Sequence, residues 1–458
     1  ATQFGLNLEG PFNRRGSFLF SARRSYLDLI FKALGQPFVP VYTDYNLFAK
    51  YDLSPTDELS VLALVAIDRI DRDQSTPENR VTNAGILGNE QDQVIAGLKY
   101  RKILSSGFLD FVLGRTDNAF RFRQADSTQQ AYFRSRASER ELSLKIDSYF
   151  RLSQASGLAG GVALKRSGND NTTAFADTIF DRNGRRVARN ALDLPGTIAV
   201  DASVYKAAAY LEYERNLGTL DLVFGVRGDY FDFLEKSFYA SPRFSATLRL
   251  DRKTRIKASL GRYYQSPSQV WIANLANRAL AALRNDMLVA SIDRLLRDDT
   301  RLSFEAYFKK YSDLPTGATP GTDYLVLTNT GVGYGGREDD FRSFGYIPLV
   351  SVGTGRAFGF ELLVQKKFSD TPLYGQLSLA YGKSEFTAGN GKTYPGQYDQ
   401  RFILNLSGGY KFGAGWEISG KFRLFTGAPY TPVYLPAQNG GFVQNLPQEY
   451  LAARLQTG

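Results

Sequence analysis

The chain has 458 residues and contains neither cysteine nor histidine, so disulfides, zinc–thiolate sites, histidine-ligated metals and histidine acid–base catalysis are all excluded. Its formal charge is +10, but Lys and Arg are spread along the whole sequence, and the main local basic cluster, DRNGRRVAR at 181–189, is short. No nucleic-acid partner is expected from that distribution. The 33 Phe, 27 Tyr and 43 Gly suit aromatic-rich strands joined by glycine-bearing turns, and no apolar run approaches the roughly 18 residues of a transmembrane helix.

The stretch GSFLFSARRSYLDL begins at Gly16 and reads as a strand, yet it carries arginines at 23 and 24. A soluble sandwich would have to bury at least one of them. In a membrane barrel the problem disappears. Phe18, Phe20 and Ala22 face lipid, Leu19, Ser21 and Arg23 turn toward the lumen, and Arg24 sits where it can reach headgroups or lipid A phosphates. A short helix is expected over YLDLIFKALG at 26–35. Asp68, Asp71 and Asp73 then gather in DRIDRDQSTPEN; their oxygens would suit calcium, but the spacing matches no complete binding loop.

Period-two alternation recurs down the chain. Leu142, Leu144 and Ile146 oppose Glu141, Ser143, Lys145 and Asp147. Leu220, Leu222, Phe224 and Val226 oppose Asp221, Arg227 and Asp229. In GRYYQSPSQVW, Tyr263 has lumen parity and Tyr264 lipid parity, and Gln265 leads into a long link. Arg23, Tyr263, Gln265 and Trp271 are the candidate ligand-facing residues, against the alternative of an interfacial aromatic belt and loop packing. The segment at 268–286 reads as helical. Leu302, Phe304, Ala306 and Phe308 oppose Ser303, Glu305, Tyr307 and Lys309. GVGYGG at 331–336 lacks a Walker lysine, so phosphate binding is not expected there. Near the end, Trp416, Ile418, Phe422 and Leu424 oppose Glu417, Ser419, Lys421 and Arg423, and Pro429 and Pro432 are expected to stop the ladder.

Many of these strands sustain the pattern for about 9–12 residues, longer than the soluble mode of about 5–6 and matched to a tilted bilayer crossing. Short turns alternate with long links near 71–90, 168–196, 265–288, 314–355, 385–397 and 428–450. The expected fold is all-β, one antiparallel transmembrane barrel domain over 1–458 with about 18 strands present. No catalytic residue, cofactor or metal is assigned: carboxylates occur on most strands, as polar lumen faces require. A passive porin or channel, an outer-membrane enzyme barrel and a large soluble β-protein are the rival readings.

Five segments in order carry a family resemblance: LEGPFNRRGSFLFSARRSYLDLIFKALG, SPRFSATLRLDRKTRIKASLGRYYQSPS, GRAFGFELLVQKKFSDTPLYGQLSLAYGKSEF, YPGQYDQRFILNLSGGYKFG and FRLFTGAPYTP. Together the chain resembles the barrel region of TonB-dependent outer-membrane receptors, in their Bacteroidetes-like form. The resemblance implies a 22-stranded barrel filled by a plug domain. On it, TQFGLNLEG corresponds to the second strand, WEISGKFRLFTG to the nineteenth, and the plug domain is absent. It also implies active import of a siderophore, vitamin, glycan or peptide, powered by a TonB–ExbB–ExbD complex acting through that plug. Outer-membrane lipid, lipopolysaccharide and a surface lipoprotein are the further partners it implies. Members often have His where this chain has Phe402, whose parity points to lipid.

Overall fold

The structure, a computed structural model, describes residues 3–429 except 85, 182–183 and 329–335. Asn183, most of the glycine-rich run at 331–336, Pro432 and most of the 428–450 link lie outside the described residues.

In chain order the strands begin with β1 Gln3–Asn13, β2 Gly16–Ser25, β3 Phe38–Ser54, β4 Asp57–Arg72, β5 Gly88–Leu104 and β6 Gly107–Ala125. They continue with β7 Ala131–Ser153, β8 Ser156–Phe175, the short β9 Thr178–Phe180 and β10 Arg186–Ala188, β11 Thr197–Asn216, β12 Leu220–Phe231 and β13 Phe238–Arg249. The last are β14 Thr254–Gln265, β15 Leu283–Arg297, β16 Thr300–Gly317, β17 Leu349–Lys366, β18 Leu373–Thr387, the short β19 Thr393–Pro395, β20 Phe402–Lys411 and β21 Glu417–Phe425. Among the described residues eighteen are long, and all eighteen pair antiparallel with their long neighbours in sequence, as an up-and-down sheet requires. Among the described residues, β1 and β21 each pair on one side only.

Register fixes which face each residue takes, because a one-residue slip would invert every strand. Leu144 lies opposite Leu113 and Leu164, and all three point outward. Ser143 lies opposite Gly114 and Lys165, on the interior face. The expected parities of β2, β7, β12, β16 and β21 agree with this register. Leu142 and Leu164 keep 52% and 54% of their surface exposed, which only an apolar surrounding makes tolerable for a whole band of such side chains.

Among the described residues one end of the sheet has only tight connections, two to six residues long. Five of them use the same local device: Asn13, Ser54, Ser153, Asn216 and Asp251 each accept a bond from the backbone N–H two residues on. That bond imitates a backbone turn and sets the hairpin. The opposite end carries most of the long links, and several are shorter than their sequence suggests because the strands run on. β8 continues to Phe175, β16 to Gly317, and β17 starts at Leu349. Two connections there, 126–130 and 232–237, are short. The expected helix at 26–35 is α1, Leu27–Ala33. A helix not expected, α2 Pro77–Ala84, follows Thr76, whose hydroxyl accepts from Asn79 N at 3.1 Å. The segment at 268–286 is only partly helical: α3 covers Gln269–Ile272, a 3-10 turn covers Leu275–Ala279, and strand pairing takes over at Leu283.

Candidate functional site

The interior face at the long-link end holds the main buried core of the molecule. The link between β16 and β17 drops Phe341, Phe344, Tyr346 and Ile347 onto interior residues of β6, β7, β8 and β11. Phe133, fully buried, packs its ring 4.7 Å from Phe341 and 5.4 Å from Phe344. The Tyr346 hydroxyl lies 3.2 Å from Ser135 Oγ and 3.1 Å from Thr173 Oγ1, so a polar group this deep is satisfied. The Asn171 amide reaches the same hydroxyl at 3.4 Å.

Asn277 joins two links into one body. Its Nδ2 donates to the carbonyls of Trp271 at 2.7 Å, Ile347 at 3.1 Å and Gly345 at 3.3 Å, and its Oδ1 accepts from Leu349 N at 2.8 Å. Gly345 adopts φ +65°, and a Cβ there would stand 2.2 Å from Trp271 Cδ1. Only glycine fits.

Beside this core a cavity of about 420 Å³ opens between β14, β15, β16 and β18. Tyr263, Tyr264, Gln265, Asn285, Tyr311 and Phe386 are among its walls. Arg243 lies 4.5 Å over the Tyr263 ring, and Tyr311 and Phe386 are 5.8 Å apart. Among the described residues Asn285 Oδ1 is buried there with no hydrogen-bond partner, while Arg284, next to it in the strand, turns to the outer face and pairs with Asp286 at 2.9 Å. Aromatic faces with an amide oxygen left over can grip a ligand that has flat or apolar surface and a hydrogen-bond donor.

Two of the four candidate residues, Tyr263 and Gln265, meet at this cavity. Trp271 is 2% exposed and packs within the link core beside it. Arg23 stands apart on β2, bonded to Asp44 at 2.8 Å. Asp68 and Asp71 fall on opposite faces of β4, and Asp73 is occupied by Ser75 N and Asn79 Nδ2, both at 2.9 Å. The Ser75 bonds hold the Asp73 carboxyl below its ordinary range. Among the described residues no group of three acidic side chains gathers as a metal site. Sequence reading missed Tyr311, Phe386 and Asn285. Their lumen parity was readable, but their convergence depends on strand order and on links folding inward.

A family model described as TonB dependent receptor-like, beta-barrel, matches residues 42–450. No curated protein matches the chain. Among solved structures, the outer membrane transporter YddB from Escherichia coli is 10% identical with a TM-score of 0.62, covering 89% of this chain and 61% of that one. The FrpB iron transporter from Neisseria meningitidis is 14% identical, TM-score 0.65, covering 92% and 66%. The siderophore receptor PirA from Pseudomonas aeruginosa is 13% identical, TM-score 0.58, covering 92% and 72%. The chain thus spans less than two thirds of the E. coli transporter. The match over most of the sequence, on an antiparallel sheet with an apolar outer band, settles the family: the chain belongs to the TonB-dependent receptors, as their β-barrel part, in the bacterial outer membrane.

Proposed function

We propose that this chain forms the barrel of an active nutrient importer, energised by a TonB–ExbB–ExbD complex through a plug domain, with its long links facing the exterior. The observation that carries the reading is the cavity of about 420 Å³ at the long-link end, walled by Tyr263, Gln265, Asn285 and Tyr311. Its size and mixed aromatic and polar lining suit a compact ligand with both rings and hydrogen-bonding groups. Solved relatives of the same fold include an iron transporter, a copper transporter and siderophore receptors. A metal-chelating small molecule is therefore the first substrate class to try, ahead of vitamins, glycans and peptides.

The test is uptake of labelled ferric siderophore, cobalamin, oligosaccharide and peptide by cells producing the protein, with and without TonB. Saturable uptake of one class that is lost without TonB is expected. TonB-independent flux rising in proportion to concentration would instead favour a passive channel. Paired Tyr263→Ala and Gln265→Ala changes should weaken substrate binding, whereas Arg23→Ala should leave it intact. Surface labelling on intact cells should reach Asn390 in the 388–401 link and spare Lys253 in its tight turn. The reverse pattern would overturn the orientation.

A further inference from the structure

The cavity between β14, β15, β16 and β18 has a charged floor. Its wall residues Tyr263, Asn285 and Tyr311 lie side by side in one row of the sheet. The next row toward the tight turns reads Arg243, Gly261, Met287, Lys309 and Ala357, on β13 to β17. Tyr263 leans down into the space that Gly261 leaves: a Cβ on Gly261 would stand 2.9 Å from its hydroxyl. The ring thus reaches the level of Arg243, whose guanidinium lies 4.5 Å over it. Lys309 is placed in the same way on β16, with Nζ 5.1 Å over the Tyr307 ring.

These two cations depart from the habit of their wall. Arg227 is paired with Asp229 at 2.7 Å, and Arg249 and Arg301 are paired with Asp221 and Asp293. Among the described residues Arg243 and Lys309 have neither a salt bridge nor a side-chain hydrogen bond. Glu212 faces Arg243 only across Gly225 and does not pair with it. Glu305 and Glu361 stand lower, beyond Tyr307. An aromatic face orients a cation but leaves its charge uncancelled and its N–H donors free. Above them, Asn285 Oδ1 is buried without a donor.

We infer that the cavity selects aromatic acids: a flat ring carrying a carboxylate and a hydroxyl or N–H donor. The inference rests on this cavity being the ligand site of the proposed importer, and it narrows what enters there. The ring lies against Tyr263, Tyr311 and Phe386, the donor meets Asn285 Oδ1, and the carboxylate meets the fork of Arg243. Lys309 stands three strands from Arg243, about 14 Å along the row, and adds attraction for a second acidic group. Ring, donor and acid are each read by side chains, so the metal-free acid suffices.

The experiment is calorimetric titration of the chain, extracted from the outer membrane into detergent, with a chelator present. The probes are a hydroxynaphthoate, its neutral methyl ester, and the methoxynaphthoate that keeps the acid but lacks the O–H. The acid should bind roughly tenfold or more tightly than its ester, because the ester loses a charge-assisted contact. The methoxy acid should bind several-fold more weakly than the hydroxy acid, since it leaves Asn285 unpaired. The Arg243→Gln, Lys309→Gln double variant should lose the preference for acid over ester. Arg255→Gln should keep it: among the described residues this arginine also faces the lumen without a salt bridge, but near the tight turns and away from the cavity. Equal binding of acid and ester, an intact preference in the double variant, or binding of the acid only with added ferric ion would overturn the assignment. The probes are compared on the unaltered chain, so that arm stays decisive if the double variant fails to fold. TonB-dependent uptake of another class without binding of the acid would defeat this inference and leave the import reading standing. Binding of the acid with no TonB-dependent uptake would do the reverse.

Discussion

The outer wall around Leu144 and the inner mouth around Phe133 are built from the same kinds of side chain and obey opposite rules. On β7, Leu144 points out of the sheet and stays well exposed, while Phe133, eleven residues earlier on the other face, has no exposed surface. The wall is stabilised because lipid surrounds it; the mouth is stabilised because two links from elsewhere in the chain cover it. A charge therefore damages the first and a cavity damages the second.

The largest effect is expected in the mouth. Phe133→Ala removes a ring packed against Phe175, Phe341 and Phe344 and should cost about 3–5 kcal/mol locally. Trp271 is one of only two tryptophans, so its fluorescence in a Trp416→Phe background reports docking of the links. A spectrum unchanged from that background would mean that the links hold without the aromatic core.

On the wall, Leu144→Arg should cost about 2–4 kcal/mol near the bilayer midplane, measured by reversible unfolding in vesicles. Ser143→Arg, one residue away, should be much milder because its side chain enters the interior. Equal losses would erase the distinction between the two faces. Next in size is Asn277→Ala, which strands buried carbonyls on both links and should cost about 1–3 kcal/mol. Its signature is a loosening of Trp271 with no change in the unfolding of the wall.

The smallest effect is a pH dependence of the mouth. Burial raises the Asp339 carboxyl above its ordinary value, although Ser343 N donates to it at 3.0 Å. A raised acidic group favours the docked link when protonated. The contribution is fully present below the usual value near 4 and fades as pH rises through the raised one. Trp271 emission should therefore indicate tighter docking at acidic pH, and Asp339→Asn should flatten the dependence.

The wall was legible because a strand repeats every two residues, and eighteen long strands repeat the rule. Leu144, Phe224 and Phe304 could each be assigned a face from their immediate neighbours. The mouth was not legible in that way. Phe341, Phe344 and Tyr346 sit in DFRSFGYIPLV, a segment with no sustained period, and what buries them comes from strands far away in sequence. Helix α2 was readable and overlooked: Thr76 as N-cap and Pro77 at the first helical position are ordinary start signals. Tyr263 and Gln265 could be singled out by parity and by the link that follows. Trp271 lay in the same stretch, but its burial follows from Asn277 and Gly345, partners that local pattern cannot supply.

The bonds at Tyr346 also carry a consequence for the order of assembly. Each long strand finds its partner next to it in sequence, so the sheet can grow by successive hairpins with little loop to close. Tyr346 instead meets Asn171, Thr173 and Ser135 across 175, 173 and 211 residues. Closing loops of that length costs more chain entropy than closing a hairpin, and the gain comes only after the strands that present those three residues are already in place. The mouth is thus the late, non-local step of a mainly local folding route, and faults confined to it would spare the wall beneath.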